Sequence, residues 1–256
     1  MMKLISTGLF ICICSFNLVI QAQSSRFTAE KFLNSKGDTL SYRLLRPEKT
    51  SQQKYPLVIF LHGSGERGND NEKQLKWGVL NFATDQMLIA HPAFVIAPQC
   101  PDKQTWSNLD RQKGFSNMKL NPQPAKPMEM LIELIHQFIQ KFPVDTTRIY
   151  ITGLSMGGFG TYDALERYPN IFAAAVPVCG GGDTSKVITF ARIPIWIFHG
   201  AEDKTVSPIC SKDMAEALVK AGARPGITFY PGVGHASWLG AYTDQTMMEW
   251  LFNQHK

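Results

Sequence analysis

The chain has 256 residues, of which 44% are hydrophobic and 18% are charged, and its formal net charge is +5. This composition suits a folded domain with a sizeable core and excludes a disordered chain. The basic residues form no run along the sequence, so the positive charge does not indicate a nucleic-acid partner.

The N-terminal 22 residues have the pattern of a secretory signal peptide. Lys3 precedes an apolar stretch from Leu4 to Ile20 that several polar residues interrupt, and Ala22 offers a small residue at the cleavage point. A spanning helix ordinarily needs about 20 apolar residues. We therefore predict a signal peptide at 1–22 and a single secreted or periplasmic domain at 23–256, with no membrane span after cleavage. A retained N-terminal anchor is the alternative.

Removal of the signal would leave Cys100, Cys179 and Cys210. Three cysteines allow at most one disulfide within the chain, so the fold is not one that cystines hold together. A bridge between Cys100 and Cys179 is conceivable because both follow predicted strands at one edge of the sheet. We expect buried thiols instead.

The elements after the signal predict an α/β protein. Two strands, Arg26 to Ser35 and Thr39 to Leu45, flank a turn at Lys36-Gly37-Asp38 and form a hairpin. Apolar runs then alternate with amphipathic segments, which indicates a mostly parallel central sheet with helices on both faces. The predicted strands are Leu57 to Leu61, Phe94 to Ala97, Arg148 to Thr152, Ala173 to Val178, Ile195 to His199 and Thr228 to Tyr230. The predicted helices are Met128 to Phe142, Gly158 to Tyr168, Ser207 to Ala221 and Asp244 to Asn253.

One segment, Pro101 to Lys126, interrupts the alternation. It is rich in Pro, Asn, Gln and Lys and contains Trp106 and Phe115. A loop of this length is unusual in a compact domain unless it has a function. It also leaves the carboxyl end of a strand, the edge at which open α/β sheets bind ligands. The segment is therefore either a wall or lid of a substrate cleft or a tolerated surface insertion.

The motif Gly153-Leu154-Ser155-Met156-Gly157 lies between a predicted strand and a predicted helix. In that position it predicts a nucleophile elbow, in which the serine occupies a sharp turn and the glycines allow strand and helix to approach closely. The alternative is a glycine-rich turn whose serine caps the next helix.

A serine hydroxyl needs a general base to act as a nucleophile at neutral pH, and the base needs a carboxylate to orient it. Asp203 follows a predicted strand, and His235 follows the final predicted strand within a glycine-rich loop. The order Ser155, Asp203, His235 is that of elbow-type hydrolases. Glu202 and Asp183 are the weaker candidates for the acid.

Ester cleavage also needs backbone N–H donors for the oxyanion. The predicted donors are the amides of Met156 and Ser64, the latter in the glycine-rich loop after the Leu57 to Leu61 strand. That loop lacks the Gly-Lys-Ser/Thr ending of a phosphate-binding loop.

Five segments carry a family resemblance: HGSGERG, APQCP with the following Trp106, ITGLSMGGFGTYDAL, FHGAEDKTV and GVGHASW. The chain from about Tyr42 to its end resembles the α/β-hydrolase superfamily. Within it, the chain is most similar to exported bacterial carboxylesterase-like proteins, which include predicted peptidases, phospholipase/carboxylesterases and relatives of feruloyl and acetylxylan esterases. The resemblance implies the same nucleophile, acid, base and oxyanion hole as the reasoning above.

We therefore expect an exported serine hydrolase of carboxylic esters that forms an acyl-enzyme, with feruloyl or acetyl esters on plant polysaccharide as candidate substrates. Neither a metal nor an organic cofactor is implied. Trp106, Phe115, Phe159 and Trp238 are candidate substrate contacts, although such aromatic residues also serve as core or lid packing. The competing functions are a serine peptidase with the same triad and a non-catalytic binding protein.

Overall fold

The computed structural model describes residues 21–48, 53–112, 114–115 and 117–256. Of the predicted signal peptide, residues 1–20 lie outside these ranges. Within them, no helix combines the length and the apolar composition that crossing a bilayer requires.

The described chain is organised around an eight-stranded sheet. Its strands are β1 (Phe27–Leu33), β2 (Thr39–Leu45), β3 (Tyr55–Leu61), β4 (Phe94–Pro98), β7 (Val144–Leu154), β8 (Ala174–Val178), β9 (Trp196–Gly200) and β10 (Gly226–Tyr230). Their spatial order is β1-β2-β4-β3-β7-β8-β9-β10. Strands β1 and β2 form the predicted hairpin, and β2 also pairs antiparallel with β4, whereas the other neighbouring strands run parallel. A separate short pair, β5 (Leu109–Asp110) and β6 (Lys119–Leu120), lies between β4 and the next helix.

Helices cover both faces of the sheet, as predicted. They are α1 (Asp85–Ala90), α2 (Lys126–Lys141), α3 (Met156–Arg167), α4 (Ile209–Lys220), α5 (Trp238–Ala241) and α6 (Gln245–Phe252). Alternate residues of β3 divide between two cores because successive side chains of a strand point to opposite faces. Ile59 packs in the core that includes α2, α3 and α4 residues, whereas Phe60 packs in the core that includes α1 and α6 residues.

The main differences from the predicted elements concern β7, α3 and two short helices. Strand β7 begins at Val144 rather than Arg148, because pairing of Val144 with Tyr55 extends it through a polar stretch. Helix α3 begins at Met156, directly after Ser155, rather than at Gly158. Helices α1 and α5 were not predicted, since six and four residues are too few to show a helical period.

Candidate active site

Ser155 lies in the sharp turn between β7 and α3. Its backbone has φ 52° and ψ −114°, a conformation that is uncommon for a residue with a side chain. The Ser155 N–H donates to the Val178 carbonyl oxygen at 2.9 Å, which ties the turn to the neighbouring strand. Gly157 permits this turn, because a Cβ added there would lie 1.9 Å from the Leu61 carbonyl oxygen.

His235 and Asp203 reach Ser155 from the loops after β10 and β9. The His235 Nε2 atom lies 2.9 Å from Ser155 Oγ, and His235 Nδ1 lies 2.7 Å from Asp203 Oδ2. With the proton on Nδ1, the imidazole donates to the carboxylate and accepts from the hydroxyl. The structure thus brings the predicted nucleophile, base and acid into one hydrogen-bonded chain, in which Asp203 is buried and the other two residues are partly exposed.

Asp203 is held as a carboxylate by its hydrogen bonds. Burial alone would raise its pKa, but the hydrogen bond from His235 and the amides of Val206 and Thr205 outweigh burial and lower the pKa. These two amides donate to Oδ1 at 2.9 and 2.8 Å, which leaves Oδ2 for His235. The carboxylate can therefore fix the orientation of the imidazole and favour its protonated form.

The rival acids lie elsewhere. Glu202 is exposed to solvent. Asp183 accepts hydrogen bonds from Lys119 Nζ at 3.0 Å and from the Leu120 amide at 3.1 Å, so it belongs to the attachment of β6.

Two further residues contact the triad and were not predicted to do so. The His199 Nε2 atom lies 3.3 Å from Asp203 Oδ2 and 2.9 Å from the Val206 carbonyl oxygen, so a second imidazole supports the acid. Cys179 is completely buried and has a positive φ of 41°. For His199, the available sequence signal was its position at the end of a predicted strand.

The donor atoms of Cys179, Asp203 and His235 lie within 4.8 Å of one another, which is close enough for a metal site. Burial raises the pKa of the Cys179 thiol to about 12, so the sulfur stays protonated and is a poor ligand at neutral pH. Both His235 nitrogens already bond to Asp203 and Ser155. This donor set suits proton transfer better than cation binding. Cys100 and Cys210 are likewise buried free thiols.

The loop with the predicted oxyanion donor is fixed by a buried histidine and a buried tryptophan. His62 Nε2 accepts a hydrogen bond from the Cys100 amide at 2.9 Å, which places its proton on Nδ1, 2.6 Å from the Gly63 carbonyl oxygen. Burial lowers the pKa of His62 to about 4, so the ring is neutral. The Trp106 indole N–H donates to the His62 carbonyl oxygen at 3.1 Å.

Trp106 was predicted as a candidate substrate contact, and the structure contradicts this. The residue is 0% exposed and packs in the core, where the indole holds the loop that precedes Ser64. In the sequence, Trp106 follows a strand at the binding edge of the sheet, a position compatible with both a substrate contact and a core residue. Gly160 leaves room for the inward-facing Trp106 side chain. A Cβ added at Gly160 would lie only 2.4 Å from Trp106 Cβ.

The other three predicted contacts line cavities that open beside Ser155. A cavity of about 480 Å³ is bounded by Phe115 and Phe159, together with Ser64, Ser155 and Met156. A smaller cavity of about 210 Å³ is bounded by Trp238, together with Ser64, Ser155, His235 and the unpredicted Trp77. Ser155 therefore lies where two cavities meet.

The larger cavity also contains residues that the sequence reasoning did not identify. Arg67 and Arg111 line it, as do polar residues from the segment 101–126. Residues of that segment therefore line the cavity, and its role as a wall or lid of a substrate cleft stays a prediction.

The parallel sheet, the elbow serine and the order of acid and base along the chain define an α/β hydrolase. Residues 46–249 match the phospholipase/carboxylesterase family, and the chain belongs to this family. The predicted resemblance and fold class are thereby confirmed. The predicted enzyme class, a serine hydrolase of carboxylic esters, agrees with that family.

Individual relatives are similar in parts of their length. A probable carboxylesterase SOBER1-like protein of Arabidopsis thaliana is 25% identical over 235 residues, 86% of each chain. The bifunctional acetylxylan esterase/xylanase XynS20E of Neocallimastix patriciarum is 25% identical over 154 residues, 59% of this chain and 20% of that protein. The crystal structure of a thermostable esterase superposes with a TM-score of 0.84 and 40% identity, over 93% of this chain and 64% of that one. The chain thus spans less than two thirds of the last two relatives.

Proposed function

We propose that the protein is an exported hydrolase of carboxylic esters in which Ser155 forms a covalent acyl-enzyme. The observation that carries the proposal is the hydrogen-bonded chain from Ser155 Oγ through His235 to Asp203, with steps of 2.9 and 2.7 Å. The match to the phospholipase/carboxylesterase family supports the same chemistry. A binding protein without catalysis would have no need for a buried carboxylate that orients the imidazole.

In the proposed mechanism, His235 Nε2 takes the proton of Ser155 as Oγ attacks the ester carbonyl carbon. The carbonyl π pair moves to oxygen, and the resulting tetrahedral intermediate collapses when the bond to the alcohol oxygen breaks. His235 returns its proton to that oxygen, and the alcohol leaves. Water then attacks the acyl-enzyme by the same route, which releases the carboxylic acid and restores Ser155. Asp203 stays ionised throughout and stabilises the imidazolium.

The amides of Ser64 and Met156 are the proposed oxyanion donors. Met156 is the first residue of α3, so its N–H has no carbonyl partner within the helix. Ser64 and Ser155 both line each of the two cavities. A positive helix end and fixed amides beside the carbonyl would stabilise the oxyanion by about 3–4 kcal/mol per donor.

Acetyl or feruloyl esters on plant polysaccharide are the proposed substrates. Phe115 in the larger cavity and Trp238 in the smaller one offer apolar ring surfaces to an aromatic group or a sugar ring, and the buried Phe159 packs against Phe115. The acetylxylan esterase relative supports the acetyl alternative.

The proposal includes the signal peptide at 1–22 and a single catalytic domain at 23–256, and this mechanism uses no cofactor.

The test compares the wild type with Ser155→Ala and Ser64→Ala on 4-nitrophenyl esters of graded length, methyl ferulate, acetylated xylan and peptide amides. Ser155→Ala should lose about 10⁴-fold or more in kcat, because the nucleophile is gone. Ser64→Ala is the matched control and should stay within about threefold of the wild type, because it retains the backbone amide. Equal rates for the wild type and Ser155→Ala would refute the mechanism.

Cleavage of peptide amides would favour the peptidase alternative, and turnover of activated phenyl esters alone would refute the polysaccharide substrate.

A further inference from the structure

The wall of the larger cavity contributes a cation, Arg111, to which the described part of the chain supplies no counter-charge. Arg111 follows β5 and lines the larger cavity beside Ser155. Within the described residues, no carboxylate lies within ion-pair distance of its guanidinium. The neighbouring Asp110 uses its Oδ1 atom to accept the Gln112 amide at 2.9 Å, and Asp163 is paired with Arg167.

The guanidinium of Arg111 is held in place by an aromatic ring. It lies over the Phe159 ring, 3.9 Å from the ring centroid, and Phe159 in turn stacks on Phe115 with ring centroids 6.2 Å apart. A cation over the face of a ring is attracted to the ring, but the ring replaces neither water nor a counter-ion. The planar fork of Arg111 therefore has a defined orientation, and among the described residues none accepts a hydrogen bond from it.

On the side of Phe159, this cation faces an apolar cluster. Phe159 belongs to a small cluster with Met118, Val206 and Cys210. The Cys210 thiol is neutral because burial raises its pKa to about 12. Burial of part of the side chain lowers the pKa of Arg111, although the residue as a whole is exposed, and the guanidinium remains charged. A cationic fork at the edge of an open cavity is accessible to an anionic ligand.

A second arginine adds to the positive charge of the same cavity. Arg67 follows the Ser64 loop, and its Nε atom donates to the Gln104 carbonyl oxygen while Nη1 lies 3.4 Å from the Ser64 carbonyl oxygen. These bonds use neutral acceptors, so Arg67 also keeps its full charge. Because Arg67 supports the loop with the proposed oxyanion donor, Arg111 is the cleaner residue for substitution.

We propose that Arg111, assisted by Arg67, binds a carboxylate carried by the ester substrate, so that the enzyme prefers carboxylate-bearing esters to neutral ones. The inference rests on the proposed function, because the larger cavity includes Ser155. The carboxylate belongs either to the acyl part, as in the half-ester of a dicarboxylic acid, or to the alcohol part, as in an ester of an acidic sugar. An arginine fork matches the two oxygens of a carboxylate.

The experiment uses two pairs of substrates, each matched in shape and different in charge. A comparison of mono-4-nitrophenyl adipate with 4-nitrophenyl hexanoate tests for a carboxylate on the acyl part. A comparison of 4-acetoxybenzoate with 4-acetoxybenzamide tests for a carboxylate on the alcohol part. Values of kcat/KM are compared for the wild type, Arg111→Met and Arg111→Lys, after subtraction of uncatalysed hydrolysis. Comparing variants on the same substrate cancels differences in intrinsic reactivity. Arg192→Met, an exposed arginine that does not line this cavity, controls for the loss of one positive charge.

The expected result is that Arg111→Met lowers kcat/KM by about 10- to 100-fold on the charged member of one pair and by less than about threefold on its neutral partner. Arg111→Lys should fall between, because it keeps the charge and loses the fork. The pair that responds identifies the part of the substrate that carries the carboxylate. Raising the salt concentration should reduce the preference of the wild type.

Equal effects of Arg111→Met on charged and neutral members of both pairs, or no effect on either, would overturn the proposal. The neutral 4-nitrophenyl hexanoate separates this failure from failure of the proposed function. If the wild type hydrolyses it and Ser155→Ala does not, the mechanism stands whatever Arg111 does. If the wild type hydrolyses none of the esters, both proposals fall.

Discussion

The two sides of the cleft around Ser155 are built differently. Ser155 and Asp203 follow strands of the central sheet, and backbone hydrogen bonds fix each of them. The opposite wall, Pro101 to Lys126, contains only two short strands among its described residues and is mostly outside the core. The sheet thus fixes the proposed chemistry, whereas a peripheral segment lines the larger cavity. Apart from Trp106, which holds the loop before Ser64, this segment can change without disturbing the triad.

Side chains attach this wall to α3 and to the segment after β8. Arg167 donates to the Asn121 and Pro122 carbonyl oxygens at 2.7 and 2.9 Å, and its partner Asp163 accepts the Asn108 amide at 3.0 Å. Asp183 accepts the Leu120 amide at 3.1 Å. A few buried polar groups thus carry the attachment, whereas the elbow depends on close backbone packing. This difference can be tested on each side.

The largest expected loss of stability comes from a substitution at the elbow, on the side of the cleft that the central sheet forms. In Gly157→Ala the new Cβ would lie 1.9 Å from the Leu61 carbonyl oxygen and 2.9 Å from that of His62, and neither backbone group can move freely. We expect a loss of about 3–5 kcal/mol in the free energy of unfolding, measured by urea denaturation.

The matched control for that variant is Gly65→Ala in the oxyanion loop. No atom lies within 4 Å of a Cβ placed at Gly65. Its unfolding free energy should stay within about 1 kcal/mol of the wild type, since only backbone entropy and local solvation change. Similar losses for Gly157→Ala and Gly65→Ala would show that close packing does not hold the elbow.

An intermediate effect is expected on the wall side. Asp163→Ala removes the partner of Arg167 from an almost completely buried i,i+4 pair, with a 2.8 Å contact and side chains 0% and 9% exposed. Breaking such a pair should cost about 3 kcal/mol of unfolding free energy, because Arg167 is left desolvated. If the two sides of the cleft are independent, KM for ester substrates should rise while kcat on a short activated ester changes little.

The chain offers a control with the same spacing at the surface. Glu216 and Lys220 also form an i,i+4 pair, but their side chains are 65% and 74% exposed. Exposed pairs of this kind contribute about 0.3–0.5 kcal/mol, so Glu216→Ala should be nearly neutral. A collapse of kcat in Asp163→Ala with the fold intact would contradict the separation of wall and chemistry.

The smallest expected effect depends on pH. Burial raises the pKa of Glu166 to about 9, and its Oε1 atom accepts the Asp183 amide at 2.7 Å. The unfolded carboxyl has a pKa of about 4.3, so between that pH and about 9 the folded state holds a proton that the unfolded state releases. Stability therefore falls as pH rises through this range.

Glu166→Gln should remove that dependence, because the amide resembles the protonated acid. We expect the variant to be about 1–3 kcal/mol more stable than the wild type at pH 8 and nearly equal to it at pH 5, by urea denaturation at both values. Glu202→Gln, a substitution at an exposed carboxylate, should leave the pH dependence unchanged. Parallel stability curves for Glu166→Gln and the wild type would mean that the carboxyl is ionised in the folded protein.

The sequence predicted the elements that repeat a local pattern. The alternation of apolar runs and amphipathic segments predicted the main strands and helices, and the glycines around Ser155 predicted the elbow because only glycine allows such backbone contacts. Short elements such as α1 carried no periodic signal. Trp106 was assigned wrongly because an aromatic residue in a loop has no period that tells whether it faces a cavity or the core.

The order and type of the candidate catalytic residues, the α/β-hydrolase fold and the meeting of Ser155, Asp203 and His235 at one sheet edge could all be read from the sequence. Strand ends in a parallel sheet converge whatever the loops do. The support of Asp203 by His199, the burial of Trp106 and the position of Arg111 over Phe159, without a carboxylate partner among the described residues, emerged only from the folded chain. The positions of Trp106 and Arg111 depend on contacts with residues far apart in the chain, and His199 meets Asp203 only because the turn after β9 brings them together.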